Sequence, residues 1–198
     1  SIIGGYIRGG VNNNSSERYQ SALFNSYFGG SMSSVLFQQI REFRSLAYRV
    51  HATYKLPPYK DSDKNGQLVA MLSTQCDKTT DAMGILDSLI KQMPETAERI
   101  EIARQDVVNK ANNEYPSLRE RSLKISSLIK DGYASDPNKD IIANVINLDI
   151  KDVVNFYNRN VKDRTITYVV VGNSKKIDMA KLSSFGKIIK VKSKEVFK

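Results

Sequence analysis

The chain has 198 residues, of which 40% are hydrophobic and 26% charged, and a formal net charge of +9. That balance suits one sizeable globular core, or two small ones at most, and argues against a disordered chain. A lone cysteine, Cys76, excludes an intrachain disulfide and a cysteine-built zinc site, and no apolar run approaches the roughly 20 residues that span a bilayer.

Taken in chain order, Ile2 to Arg8 reads as a strand containing Gly4 and Gly5, followed by a polar loop from Gly9 to Ser16. Ser16 is placed to cap a helix carrying Tyr19, Ala22, Leu23 and Tyr27 at three-and-four spacing, stopped by Gly29-Gly30. Ser33 or Ser34 then caps a short helix with Leu36, Phe37 and Ile40 as its apolar stripe. From Tyr48 the period changes to two: Tyr48, Val50, Ala52, Tyr54 and Leu56 face one way, Arg49, His51, Thr53 and Lys55 the other. Pro57-Pro58 ends that strand, and 67–74 reads as its partner.

Residues 77–80 supply an N-cap for a helix burying Ala82, Ile85, Leu86, Leu89, Ile90 and Met93, with Pro94 in the break after it. A long helix is expected over 95–113, with Ile100, Ala103, Val107 and Ala111 inward, and another over 117–130, ended by Gly132. Two short helices follow over 139–146 and 150–158, the second capped by Asp149. The β-forming run 165–171 predicts a central buried strand, Asp178 caps a brief helix, and 187–191 predicts a closing strand. The order β-α-α-β-β-α-α-α-(α-α)-β-α-β implies an α+β fold, with helices packed on one face of an antiparallel-rich mixed sheet. No repeat or linker divides it, so one domain over 1–198 is expected.

The positive charge is spread along the sequence, with a local excess only at Lys187, Lys190, Lys192, Lys194 and Lys198, interleaved with Ile188, Ile189, Val191 and Val196. Such interleaving reads as an edge strand guarded by lysine rather than a nucleic-acid surface. Ser1 opens inside an apolar stretch with neither Met nor a basic leader, so a piece of a longer chain is expected.

The chemistry the residues allow is narrow. His51 is the single histidine, on the polar face of a strand, and neither HxxEH nor HxxxH occurs. A site of His51, Cys76 and Asp77 matches no zinc spacing, and His51 reads as a surface residue. There is no GxSxG elbow, and neither Gly9-Gly10 nor Gly29-Gly30 completes a phosphate-binding loop; both read as turns. Arg41 and Tyr48 stand apart. One closes a short helix and the other opens a strand, so their separation can bring both to one surface. A guanidinium with five N–H donors and a phenolic O–H, with no acid between them, suits peptide carbonyls or an oxyanion. The same pair also fits a helix-end cation beside a half-buried strand aromatic.

The run from Gly29 to Ala52 resembles a signature of the zinc peptidases related to pitrilysin, insulin-degrading enzyme and the mitochondrial processing peptidases. The pattern GG-x-x-SRLFQ-x-IRE-x-x-GLAY-x-V-x-A is matched by Gly29, Gly30, Ser34, Leu36, Phe37, Gln38, Ile40, Arg41, Glu42, Leu46, Ala47, Tyr48, Val50 and Ala52. Val35 stands where the pattern has arginine, an exchange expected to weaken only a surface contact, and Ser45 where it has glycine, in the turn that aims Tyr48. The resemblance implies the metal-free C-terminal domain of a zinc metalloendopeptidase, not catalytic as an isolated domain. It implies that Arg41 binds a substrate carbonyl, that Tyr48 stabilises the tetrahedral intermediate as the catalytic residue, and that Phe37 lines the apolar pocket beside the scissile bond. Zinc is expected in an N-terminal half, on the same chain or a partner subunit, and no cofactor in this chain. Peptide is the expected substrate, with no nucleic acid and no membrane span; the alternative is a non-enzymatic partner or scaffold subunit of the same fold. The residues do not fix the compartment, with the bacterial periplasm or cell envelope preferred over the cytoplasm.

Overall fold

Strand β1 (Ile2–Val11) carries the alternation that organises the sheet: Ile3 and Ile7 are buried while Ile2 and Tyr6 face out. The computed structural model describes residues 1–198 apart from 12, 115, 193, 194 and 196–198. Strands β2 (Arg49–Lys55) and β3 (Asn65–Ser73) pair antiparallel, β3 pairs with β1, and β1 with β4 (Ile166–Val171). The sheet order is β2-β3-β1-β4, with every pairing antiparallel. Ala52, Tyr54, Leu68, Ala70 and Leu72 join Ile3 and Ile7 on the covered face, and the helices lie over that face alone. The fold is α+β, as the element order implies.

Helix α1 (Ser15–Phe28) is capped by Asn14, whose side chain accepts the Glu17 N–H at 2.8 Å. It lies against β2 and against α3 (Ile100–Asn113), α5 (Pro137–Val145) and α6 (Ile150–Asn160). Phe24 stacks on Phe28 at 5.3 Å between ring centres and meets Phe156 at 5.1 Å, while the Phe156 ring takes Tyr54 edge-on at 5.0 Å. Tyr54 runs through a gap that only glycine leaves open, because a Cβ at Gly9 or Gly66 would collide with its ring. Its hydroxyl donates to Asn160 Oδ1 at 3.1 Å, and burial pushes its pKa up to about 12. Helix α2 (Thr79–Lys91) buries Ala82, Met83, Leu86, Leu89 and Ile90, and its Asp87 accepts the Tyr168 hydroxyl of β4 at 2.9 Å. Asp149 and Asp152 form a reciprocal capping box on α6, and Gly132, at φ +92°, ends α4 (Arg121–Lys130).

Several expectations are corrected. Strand β1 continues through Gly9 and Gly10, which are therefore not a turn, with a register shift after Arg8. No side chain caps α2; a 3-10 turn over Cys76–Lys78 leads into it, and another over Ala97–Arg99 delays α3 to Ile100. Helix α4 begins at Arg121, after a turn closed by Ser117 and Glu120. Strand β4 is an edge strand whose second face is open, with Val169 and Val171 exposed, rather than a central buried one. Beyond the short helix α7 (Met179–Ser183), 187–192 form no strand; Ile189 and Val191 are exposed, because a period-two pattern does not make a strand without a neighbour to pair with. Lys194, Val196 and Lys198 lie outside the described residues. Among the described residues no helix is long and apolar enough to cross a membrane.

Candidate functional site

The corner between α1 and β2 is built by close approach. A Cβ on Gly29 would come within 2.7 Å of Ala52, so glycine lets the end of α1 touch β2, where the Gly29 carbonyl accepts the Ala52 N–H at 3.1 Å. A Cβ on Gly30 would meet the Asn25 carbonyl at 2.8 Å. A short helix with a wide π-turn, Phe37–Glu42, follows; Phe43 N–H reaches back five residues to the Gln38 carbonyl at 2.9 Å. Val35, Leu36 and Ile40 are buried beneath it, which leaves Phe37 and Arg41, one turn apart, on the outer side. Val35 is 2% exposed, so the position read as a surface contact is a core position. Ser45 N–H donates to the Arg41 carbonyl and Leu46 N–H to that of Ile40, each at 3.0 Å. Ser45 does this at φ +49°, the left-handed region that glycine adopts freely, which accounts for glycine at this place in the signature. Tyr48 N–H is then tied to the Ser73 carbonyl at 3.0 Å, so the tyrosine leaves the sheet at a fixed point.

The structure brings Phe37, Arg41 and Tyr48 together. The Arg41 guanidinium carbon lies 4.7 Å from the Phe37 ring centre and 5.8 Å from that of Tyr48, between two aromatic faces. Each such contact contributes about 0.5–1 kcal/mol at an exposed site and, more usefully, holds a long flexible side chain in place. Tyr48 is 74% exposed, and its hydroxyl makes no hydrogen bond to any described residue. The corner does contain an acid: Glu42 Oε1 lies 3.6 Å from Arg41 Nε, on one side of the guanidinium fork. Arg49 approaches the Tyr48 ring at 6.0 Å, adding positive potential around the phenol.

Phe37 also borders an open cleft of about 560 Å³, whose other walls include the Gly29–Ser33 loop, Val50, His51, Asp106 and Lys110. Sequence reading placed His51 on the outer face of its strand, where it accordingly lies exposed, sharing a hydrogen bond with Thr53 at 2.6 Å. Asp106 and Lys110 were not singled out, because only the packing of α3 against α1 carries them to this cleft. Among the described residues no group of three or more His, Cys, Asp and Glu could hold a metal ion.

No family model matches the chain. It is 31% identical over 158 residues to an uncharacterized zinc protease of Rickettsia bellii, a match covering 78% of this chain and 36% of that protein. Its fold is that of an inactive peptidase domain from Bordetella parapertussis, with a TM-score of 0.66 at 14% identity over 87% of this chain and 93% of that one. The peptidase M16 inactive domain from Pseudomonas fluorescens superposes with a TM-score of 0.63 at 15% identity, over 85% of this chain and 39% of that one. The chain thus shares its fold with inactive peptidase domains, one of them of peptidase M16, and is similar in sequence to a zinc protease. It spans little more than a third of the Rickettsia protein it matches. On this fold, the Phe37–Arg41–Tyr48 corner is an exposed constellation of hydrogen-bond donors beside a cleft.

Proposed function

We propose that this domain binds peptide and completes the active site of an M16 zinc metalloendopeptidase, with Tyr48 as its catalytic residue. The observation that supports the reading is the Arg41 guanidinium held between the Phe37 and Tyr48 rings, with the phenol free and pointing to solvent. Arg41 donates N–H groups to a substrate carbonyl, and a planar fork fixed between two rings loses little freedom when it does so. Tyr48 O–H donates to the oxygen of the carbonyl under attack, where negative charge grows as the tetrahedral centre forms. Phe37 presents an apolar wall to the side chain beside that bond. In this reading the zinc is held by another part of the assembled enzyme, which the zinc-protease name of the Rickettsia relative supports.

Arg41→Lys in the native protein tests the binding role. A point charge keeps the sign but loses the fork and its stacking, so KM for a peptide substrate rises by about 10-fold with kcat little changed. An unchanged KM removes Arg41 from the peptide-binding surface.

A further inference from the structure

The sheet has a second face, which among the described residues no helix covers. On an antiparallel sheet the outward positions of such a face are ordinarily polar. Here Ile2, Tyr6, Met71, Val169 and Val171 look outward from three adjoining strands, each between 42% and 63% exposed. The pairing sets them side by side: Gly4 faces Met71 across one ladder and Val169 across the other, and Ile2 pairs with Val171. Gly4 has no side chain, so the patch carries a shallow dip at its centre, where a Cβ would meet nothing closer than 3.9 Å.

The charge on this face has one sign. The four strands contain no Asp or Glu. Arg49 stands at one end of β2 and Lys55 at the other, about 20 Å along the strand. Arg8, whose guanidinium donates to Asn65 Oδ1 at 2.7 and 3.0 Å, shares the Lys55 end, because both residues pair with Gln67. Carboxylates come in only with the connections and helices. Glu42 lies against Arg41 and Asp61 against Lys64, while Asp63 and Asp77 flank β3 outside its ends. Arg49 also approaches the Tyr48 ring at 6.0 Å, so the face runs on from the corner.

We infer that this face holds the stretch of peptide running on from the corner, and that it selects stretches with aliphatic side chains between carboxylates. The inference deepens the peptide-binding reading above and rests on it. Aliphatic groups of an extended peptide settle on Ile2, Met71 and Val169 around the Gly4 dip. Acids at its two ends reach Arg49 on one side and Lys55 with Arg8 on the other. A peptide of about six or seven extended residues spans that distance. A second copy of the same face would set arginine and lysine against arginine and lysine, which disfavours it. Single-stranded nucleic acid stacks its bases on a series of aromatic rings, and of the five outward side chains only Tyr6 is aromatic.

Two labelled peptides of equal length, compared on the native protein carrying this chain, decide the matter. Both have Leu and Val in the middle; one has Glu at each end of that stretch and the other Lys. Binding is read by fluorescence anisotropy in EDTA, so that nothing is cut, and cleavage is read separately without it. The acidic peptide binds about 10-fold tighter than the lysine peptide, and the advantage shrinks as salt is raised. Met71→Glu with Val169→Glu weakens the acidic peptide by about 10-fold, and Lys55→Glu removes most of its advantage. These positions are exposed, so an unchanged denaturation midpoint reports an intact fold. Equal affinity for the two peptides, no binding of either, or an acidic-peptide affinity that survives both face variants overturns the inference. Cleavage that needs Tyr48 while neither face variant changes KM overturns it too, and leaves the role of the corner standing. Face-dependent binding of the acidic peptide without any cleavage supports the inference and removes Tyr48 from catalysis. Displacement of that peptide by oligodeoxythymidylate binding more tightly than the peptide itself assigns the face to nucleic acid and overturns the inference.

Discussion

Replacing Ser45 with glycine should stabilise the domain, contrary to the usual effect of a new glycine. Ser45 sits at φ +49° in the turn between Arg41 and Tyr48, and its exposed hydroxyl makes no hydrogen bond to a described residue, so the substitution gives up no contact. An L-residue in the left-handed region carries about 1–2 kcal/mol of strain, whereas glycine gives back about 0.5–1 kcal/mol through the greater freedom of its unfolded chain. The net gain is about 0.5–1 kcal/mol, which for a domain of this size raises Tm by about 1–4 °C. Urea denaturation should move to a higher midpoint with an unchanged slope. A β-branched Ser45→Val should move the midpoint the other way. A glycine variant equal to or less stable than the parent refutes the claim that this turn stores strain.

Gly29→Ala brings a Cβ to 2.7 Å from the Ala52 backbone nitrogen and Cβ, so α1 must draw back from β2; a loss of about 1–3 kcal/mol in urea denaturation is expected. Tyr54 has a folded pKa raised from 10.0 to about 12, chiefly by burial, so its contribution to stability is complete below pH 10 and is lost as pH rises through about 12. Tyr157 and Tyr168 shift upward for the same leading reason and add to the same alkaline decline. Tyr54→Phe should flatten the fall in denaturation midpoint between pH 10 and 12, at the cost of its hydrogen bond to Asn160 at 3.1 Å.

The corner was legible in the sequence because its logic is local. A glycine pair, a short helix with outward residues one turn apart and a switch to period two lie within a single run, and the structure places Phe37, Arg41 and Tyr48 side by side as that run implies. Caps set by a short polar side chain ahead of a helix were read for α6 and α7, where Asp149 and Asp178 accept backbone N–H groups. What sequence did not carry was neighbourhood. The apolar run of β4 reads as a central strand, yet its place at the sheet edge depends on which strands remain to pair with it. The alternation at 187–191 is a strand pattern with no partner beside it. Val35 is buried by the fold of the short helix over the core, which its replacement of an arginine does not reveal. Lys110 and Asp106 reach the cleft only through α3 lying on α1. Glu42 follows Arg41 in the sequence, but its placement beside the guanidinium is a matter of rotamer.

The central claim is that a free phenol at this corner holds the developing oxyanion of a peptide bond cut here with a metal held by another part of the enzyme. Steady-state kinetics of Tyr48→Phe in the native protein, on a peptide substrate, addresses it most directly. Removal of one well-placed donor to a developing oxyanion lowers kcat by about 100- to 1,000-fold, with KM and the denaturation midpoint unchanged, since the hydroxyl is solvent-exposed and unbonded in the free domain. A kcat that survives the loss of the hydroxyl contradicts the account.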